Sequence, residues 1–495
     1  MNKERFLELC DTSYSHIPVY VEFVADLISP LYIFSNFYDQ SNCFLFESAK
    51  SHEIKGRYSI MTLPSSLRYD FFDNELQIKD KKVITKERVP NPYDYIDKLT
   101  KKYSSPDLDN LPVFTGGLIG YFSYESFKYV EPKLKYKSSD IPLISLCECN
   151  ELIVFDNFKG TFSIIVNTQN KTLEGFELAK KRITEIRNLL FSLQPSIKHN
   201  IVKEDIEITS KSNVSYEVYE QQVNSIKNLI HEGEIMQAVL SKEVTFEGSY
   251  DPLTLYRALR LINPSPYMFY MSFDEFNVIG ASPEILVQHQ KDKVTIRPIA
   301  GTRKRGLTES EDLSNKIDLL EDEKEKAEQM MLVDLARNDL SKVSEVGTVQ
   351  VDEMMIIEKY SHVMHMTSNV IGQKKNGATP IDCLKAALPA GTLSGTPKIR
   401  AMEILSEHEN RVRGIYGGSV GYIGFNGNLD TAIVIRTAIH TKESVKVGVG
   451  GGIVFDSTPK NEWQETESKL AVFREALKYK LKYVSSIITI RSLLI

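Results

Sequence analysis

Stretches of alternating apolar and polar residues follow one another along this chain without helices between them, and this constrains the fold more than any other feature. Over residues 110–170, LPVFTGGLIGYFSYE, LISLCECNELIVFDN and TFSIIVN alternate and are broken by turn residues, as strands do. Parallel neighbours need a long crossover, usually a helix, whereas antiparallel strands can follow one another through short turns. Further strands read at AVLSKEVTFEG, PYMFYMSF and FNVIGASPEILVQHQ, with helices predicted at YEVYEQQVNSIKNLIHEGE and DPLTLYRALRLI, so strands come in runs rather than strictly alternating with helices. The chain therefore reads as α+β, with antiparallel sheets packed in a sandwich and flanked by helices.

Residues Thr172 to Leu193 switch to helical spacing, and the polar segment QPSIKHNIVKEDIEITSKSN that follows reads as a linker. This divides the chain into an N-terminal part (1–200), a second part (201–482) and an apolar tail (483–495) too short to span a bilayer. Five cysteines without metal-ligand spacing form no disulfide framework, and the N-terminus lacks a secretory signal, so a cytoplasmic, reducing location is expected. A net charge of −6 with both signs interspersed offers no basic stripe for nucleic acid. A small-molecule substrate fits better.

In EDEKEKAEQMMLVDLARNDL, Glu325 and Glu328 lie one helical turn apart on one face. Glu462 and Glu465 in NEWQETESK repeat the spacing, with Lys469 four residues on. A solvated face is the commoner explanation of any single Glu-x-x-Glu. The apolar run Met330, Met331, Leu332, Val333 and Leu335 instead predicts a buried helix whose carboxylates need a cation. Hard oxygen ligands without His or Cys nearby point to magnesium, which keeps waters and shares its shell with an anionic substrate.

PIAGTRKRG (298–306), LPAGTLSGTPK (388–398) and VGVGGGIV (447–454) each read as lying where a strand ends, with bare backbone amides available to an anion. Any one of them alone is equally a tight turn or bulge. Thr396 and Pro397 read as an N-cap with proline at the first helical position. None is a phosphate loop. Arg436, mid-strand in TAIVIRTAIH, wants a carboxylate, from substrate or from a structural salt bridge. Tyr416 in RGIYGGSVGYIG is either a core aromatic or a hydrogen-bond donor to substrate.

ASPE (281–284), PIAGTRKRG, EKAEQMMLVDLARNDL, SHVMH (361–365), PAGTLSGTPK, RGIYGGSVGYIG and GVGGGIVFDS occur in the order seen in chorismate-utilising enzymes, which the chain resembles from about residue 215 to 480. The resemblance implies that Glu328 and Glu465 hold Mg2+ against the chorismate ring carboxylate, supported by Glu325 and Glu462. It implies that Gly301, Thr302, Thr392, Tyr416, Arg436, Gly450, Gly451, Gly452 and Lys469 contact the substrate. Glu284 matches the general acid for the departing C4 hydroxyl, a task that needs a carboxyl kept protonated near neutral pH by burial. His365 matches the motif histidine near the ring.

Within that family the chain looks like the branch that makes anthranilate. Gln237 stands where isochorismate and salicylate synthases carry a lysine that activates water, and Ala300 where aminodeoxychorismate synthases commonly carry lysine. No glutaminase segment with a nucleophilic cysteine is visible, so a separate glutamine amidotransferase subunit supplying ammonia, in a heterotetramer, is implied. FLFESAK, with Glu47 and Ser48, and NPSPYMFYM, with Pro266, Tyr267 and Met268, resemble the two halves of an L-tryptophan feedback site; by composition alone PYMFYM reads more readily as a buried strand. Departures from the family pattern are Gln329 in place of histidine, Lys304 in place of proline, and the apolar tail.

Overall fold

The computed structural model describes residues 1–48, 56–109, 111–193, 199–360 and 363–483. Two twelve-stranded sheets dominate it, and every pairing within them is antiparallel. The first sheet carries, among others, Cys43–Glu47, Tyr267–Ser272, Asn277–Ser282, Thr437–His440, Ser444–Ile453 and Gln237–Glu247 as successive neighbours. The second carries Ile299–Lys304, Val363–Gln373, Lys293–Ile296, Ile285–Gln290, Leu429–Ile433, Ser419–Gly424 and Gly117–Phe122. The α+β reading from strand runs is thus the observed fold.

Alternation explains the layering. In the segment PYMFYM, Phe269 and Met271 enter a core shared with Ile119, Tyr121 and Val420 of the other sheet, while Met268 and Tyr270 face helices. Both faces of this strand are buried, which is why the run is continuously apolar. Helices Leu173–Ser192, Pro252–Ile262 and Pro459–Leu477 cover the first sheet; Pro92–Thr100, Glu323–Ser341 and Pro380–Ala387 cover the second. Their starts follow from sequence: Thr172, Ser215 and Asp251 each cap a helix by accepting from a backbone amide three residues on.

The two sequence parts share both sheets, since Cys43–Glu47 pairs with Tyr267–Ser272 and Gly117–Phe122 with Ser419–Gly424. Part of the predicted linker is a strand. His199–Lys203 pairs with Tyr479–Tyr483, because the short HNIVK run gains a ladder partner that its own sequence does not announce. The tail from Val484 onward lies outside the described residues. Among the described residues no helix is long and apolar enough to cross a membrane.

Candidate active site

The chain passes between the two sheets at Pro283–Glu284, between strands Asn277–Ser282 and Ile285–Gln290, and again at 434–436, between Leu429–Ile433 and Thr437–His440. The crossings are laced together: the Ile433 amide donates to the Glu284 carbonyl at 3.0 Å and the Ala281 amide to the Arg436 carbonyl at 3.1 Å. Glu284 and Arg436 therefore project from neighbouring points where regular sheet stops. Arg436 is not mid-strand as the sequence suggested. It has φ +50° in the crossing, a conformation that costs a non-glycine residue on the order of 1 kcal/mol or more and concentrates at functional sites.

Glu284 is buried, and both carboxylate oxygens accept from the Thr392 hydroxyl, at 3.3 and 3.4 Å. Burial pushes its carboxyl up to about 8, against the opposing pull of Thr392, the Ile299 amide and Arg436. Burial likewise lowers the Arg436 guanidinium, with Glu284 and Tyr360 restoring part of the loss. Among the described residues nothing hydrogen-bonds or ion-pairs with that guanidinium.

Gly301 sits at a register shift in Ile299–Lys304 with φ +65°. A Cβ there would meet Leu319 at 2.9 Å and a Glu325 carboxylate oxygen at 3.1 Å, so glycine is what lets the acidic helix Glu323–Ser341 lie against this strand. Across the ladder Thr302 pairs with His365; the Thr302 hydroxyl and His365 Nδ1 are 2.9 Å apart, and the Tyr360 ring meets the imidazole edge-on. The imidazole orientation is thus held from two sides.

Glu328, on the helix Glu323–Ser341, lies within electrostatic reach of Glu465 on the helix Pro459–Leu477, which also carries Glu462. Burial first, then Glu325 and Glu465, raises the Glu328 carboxyl above the ordinary range. Burial and Glu465 do the same for Glu462 against the pull of Ser457, Lys324 and Lys469. Glu325 also meets Arg303 at 3.3 Å. Carboxylates driven upward by burial and one another are short of positive charge, and the donor set is all hard oxygen, which fits magnesium. Among the described residues no three His, Cys, Asp or Glu side chains converge closely enough to complete a metal site by themselves. Magnesium, which retains waters and takes substrate oxygens, does not require that they do.

Glycines of Ser444–Ile453 form the floor. A Cβ on Gly450 would meet the Leu240 carbonyl at 2.9 Å and the Tyr416 hydroxyl at 3.0 Å, on Gly451 a Glu462 oxygen at 3.1 Å, and on Gly452 the Gln237 amide at 2.6 Å. Lys469 donates to the Gly450 carbonyl at 2.7 Å and to Glu465 at 2.8 Å. Burial raises the Tyr416 phenol to about 12, so it is a donor at neutral pH. Two glycine segments expected at strand ends are inside strands: their role is to remove side chains over a trough, which needs no turn. Thr396 is not an N-cap. Its carbonyl accepts from the Met236 amide at 2.7 Å, keeping it in the sheet, and Pro397 precedes a helix, Lys398–Glu409, without a side-chain cap.

Residues 41–475 match the chorismate binding enzyme family model. The chain is 43% identical over 486 residues to anthranilate synthase component 1 of Pseudomonas aeruginosa, covering 96% of this chain and 98% of that one. It belongs to the chorismate binding enzyme family. The Aquifex aeolicus anthranilate synthase component 1 is 41% identical, covering 94% and 95% of the two chains. The crystal structure of anthranilate synthase component I from Streptococcus pneumoniae superposes with a TM-score of 0.75 at 32% identity, over 91% of this chain and 99% of that one. The isochorismate synthase MenF from Escherichia coli, 18% identical, shares the fold at TM-score 0.71, over 96% and 98%.

In this chorismate binding enzyme Gln329 turns away from the carboxylates. Its amide donates to the Pro298 carbonyl at 3.2 Å and to Ser368 at 2.8 Å, tying the acidic helix to the second sheet. Of the two segments resembling an effector site, Glu47 and Met268 are paired across neighbouring strands. Glu47 is engaged by the Tyr256 hydroxyl at 2.7 Å and lies 3.6 Å from Arg260, and Tyr267 donates to Asp430 at 2.9 Å. Ser48 and Pro266 flank those strands; Ala49 and Lys50 of FLFESAK, and Ser361 and His362 of SHVMH, lie outside the described residues. Sequence reasoning missed Arg413. Buried, it donates to the Leu393 and Val239 carbonyls and to Glu409, and so fixes the turn carrying Tyr416 against the one carrying Thr392. It also missed Tyr219, which sits in an ordinary apolar stripe with Val223 and Ile226.

Proposed function

We propose that this chain is the synthase subunit of an anthranilate synthase, joining ammonia to C2 of chorismate, expelling the C4 hydroxyl as water and then releasing pyruvate to leave anthranilate. The observation that carries this reading is Glu284, a buried carboxyl that keeps its proton to about pH 8 beside an Arg436 guanidinium free to take a substrate carboxylate. The branch of chorismate chemistry is supported by the relatives named anthranilate synthase component 1, by Gln237 in place of a base and by Ala300, which offers no nucleophile.

In this mechanism Arg436 and the Gly450–Gly452 backbone hold the enolpyruvyl carboxylate, and Tyr416, Thr302 and Lys469 fix the ring. Glu328 and Glu465, supported by Glu325 and Glu462, would hold Mg2+, which when bound neutralises the ring carboxylate. Ammonia adds at C2, the ring double bonds shift, and Glu284 gives its proton to the leaving C4 hydroxyl; the ammonium formed at C2 then sheds one proton, which restores Glu284. His365, oriented by Thr302, then takes the C2 proton as the C3–O bond breaks; the enolpyruvyl group leaves, gains a proton at its methylene and departs as pyruvate. The ammonia comes from a glutamine amidotransferase subunit; the component 1 naming of the relatives supports a second component. L-Tryptophan bound by Glu47, Ser48, Pro266, Tyr267 and Met268 inhibits the reaction.

The test mixes the chain with chorismate, Mg2+ and ammonium at pH about 8.5, where part of the ammonium is free base, and follows anthranilate fluorescence and pyruvate together. Equal amounts of both are expected. Amination without pyruvate would move the assignment to an aminodeoxychorismate or aminodeoxyisochorismate synthase.

A further inference from the structure

Tyr219, on the helix Tyr216–His231, is fully buried, and its ring meets Trp463 edge-on at 5.3 Å. Its hydroxyl has no hydrogen-bond partner among the described residues. An unmade hydrogen bond on a buried hydroxyl costs about 1–3 kcal/mol, and phenylalanine would fill the same space without that penalty. The hydroxyl lies 3.8 Å from the point a Cβ on Gly451 would occupy, and a Glu462 carboxylate oxygen lies 3.1 Å from that same point. An unsatisfied donor and a carboxylate thus both border the space that Gly451 leaves open. A phenol keeps its proton at neutral pH, so the group is a donor.

The helix turn carrying Glu462 is also held through its neighbour Trp463. Trp463 is covered by the Lys242 ammonium, 3.2 Å from the ring centre, and Lys242 also pairs with Glu467 at 2.7 Å with its side chain fully buried.

We propose that Tyr219 is a positioning residue for the divalent-cation site: its hydroxyl donates to the Glu462 carboxylate once the cation is bound, and fixes the orientation of that carboxylate. This rests on the magnesium reading above. Carboxylates around a metal are held by hydrogen bonds from a surrounding layer of residues, and loss of one such partner typically weakens metal affinity about 10- to 100-fold.

The experiment titrates Mn2+ as the probe, by electron paramagnetic resonance, into the full chain with chorismate present and no ammonia source. It is repeated with Tyr219→Phe, Glu462→Gln and the double variant. The fluorescence of Trp463, the sole tryptophan, gives an independent binding curve. Tyr219→Phe should melt no lower than the unaltered chain without metal, yet bind Mn2+ about tenfold more weakly. The double variant should be no weaker than Glu462→Gln alone. Unchanged Mn2+ affinity in Tyr219→Phe, or independent additive effects of the two substitutions, overturns the proposal while leaving the metal reading intact. Failure of the unaltered chain to bind Mn2+ overturns the metal reading and this proposal with it.

Discussion

Glu284→Gln tests the acid at the sheet crossing, because it keeps the shape and removes the proton. A carboxyl moved from 4.5 to about 8 prefers its protonated form by about 5 kcal/mol more than an ordinary carboxyl does. The sign follows from proton counting. Between pH 4.5 and 8 the folded chain holds a proton on Glu284 that the unfolded chain has lost, so this contribution is full below the unfolded value and is lost as pH rises through about 8. Glutamine cannot titrate. The difference in stability between Glu284→Gln and the unaltered chain should therefore change with pH across that window, moving in favour of the variant as pH rises. Urea denaturation at several pH values measures it. In activity, with free ammonia held constant so that its own titration cancels, kcat/KM of the unaltered chain should fall tenfold per pH unit above about 8. The variant should lose on the order of 100- to 10,000-fold in kcat with little change in KM. A flat stability difference, or a kcat/KM still level at pH 9.5, would refute the argument that burial keeps this carboxyl protonated.

Other substitutions read other parts of the site. Arg436→Lys should raise the KM for chorismate about tenfold or more, because a point charge replaces a planar fork in a backbone already set for it; steady-state kinetics decides. Gly301→Ala should destabilise by about 2 kcal/mol or more, since it combines a positive φ with contacts on Leu319 and Glu325, and a lowered urea midpoint is the readout. Chelation by EDTA should abolish anthranilate formation, and added Mg2+ should restore it. Saturating L-tryptophan should suppress the rate, and activity unchanged by it would remove the effector reading of Glu47 and Met268.

The sandwich was legible because strands come in runs, and a short apolar run such as PYMFYM fits a strand whose two faces pack on different apolar layers. What periodicity does not encode is which sheet a strand joins. TAIVIRTAIH is one apolar run with no glycine or proline, so it reads as a single strand, yet its first half lies in one sheet and its second in the other. Glu284 was singled out by the family resemblance of ASPE, since the strand reading ran straight through Pro283. The glycine segments showed that backbone is laid bare but not why: a glycine inside a strand that admits Tyr416 or Glu462 looks the same as one that ends it. Tyr219 was beyond reach in principle, since its missing hydrogen bond exists only after folding.

That Glu284 and Arg436 both sit at crossings follows from what a sandwich can offer. Inside a sheet every backbone group is committed to the ladder and side chains point squarely into packed layers. A long polar side chain placed there would have to be neutralised by its neighbours. Where the chain leaves one sheet for the other, the ladder stops, and a side chain can be buried deeply enough to shift its proton affinity while still facing a space that a ligand can enter. The amide-to-carbonyl bonds at Ile433–Glu284 and Ala281–Arg436 make the two crossings a single rigid unit. The acid and the cation are consequently held at a fixed separation by backbone rather than by contact with each other, which leaves Arg436 available to a substrate carboxylate and Glu284 to a leaving hydroxyl.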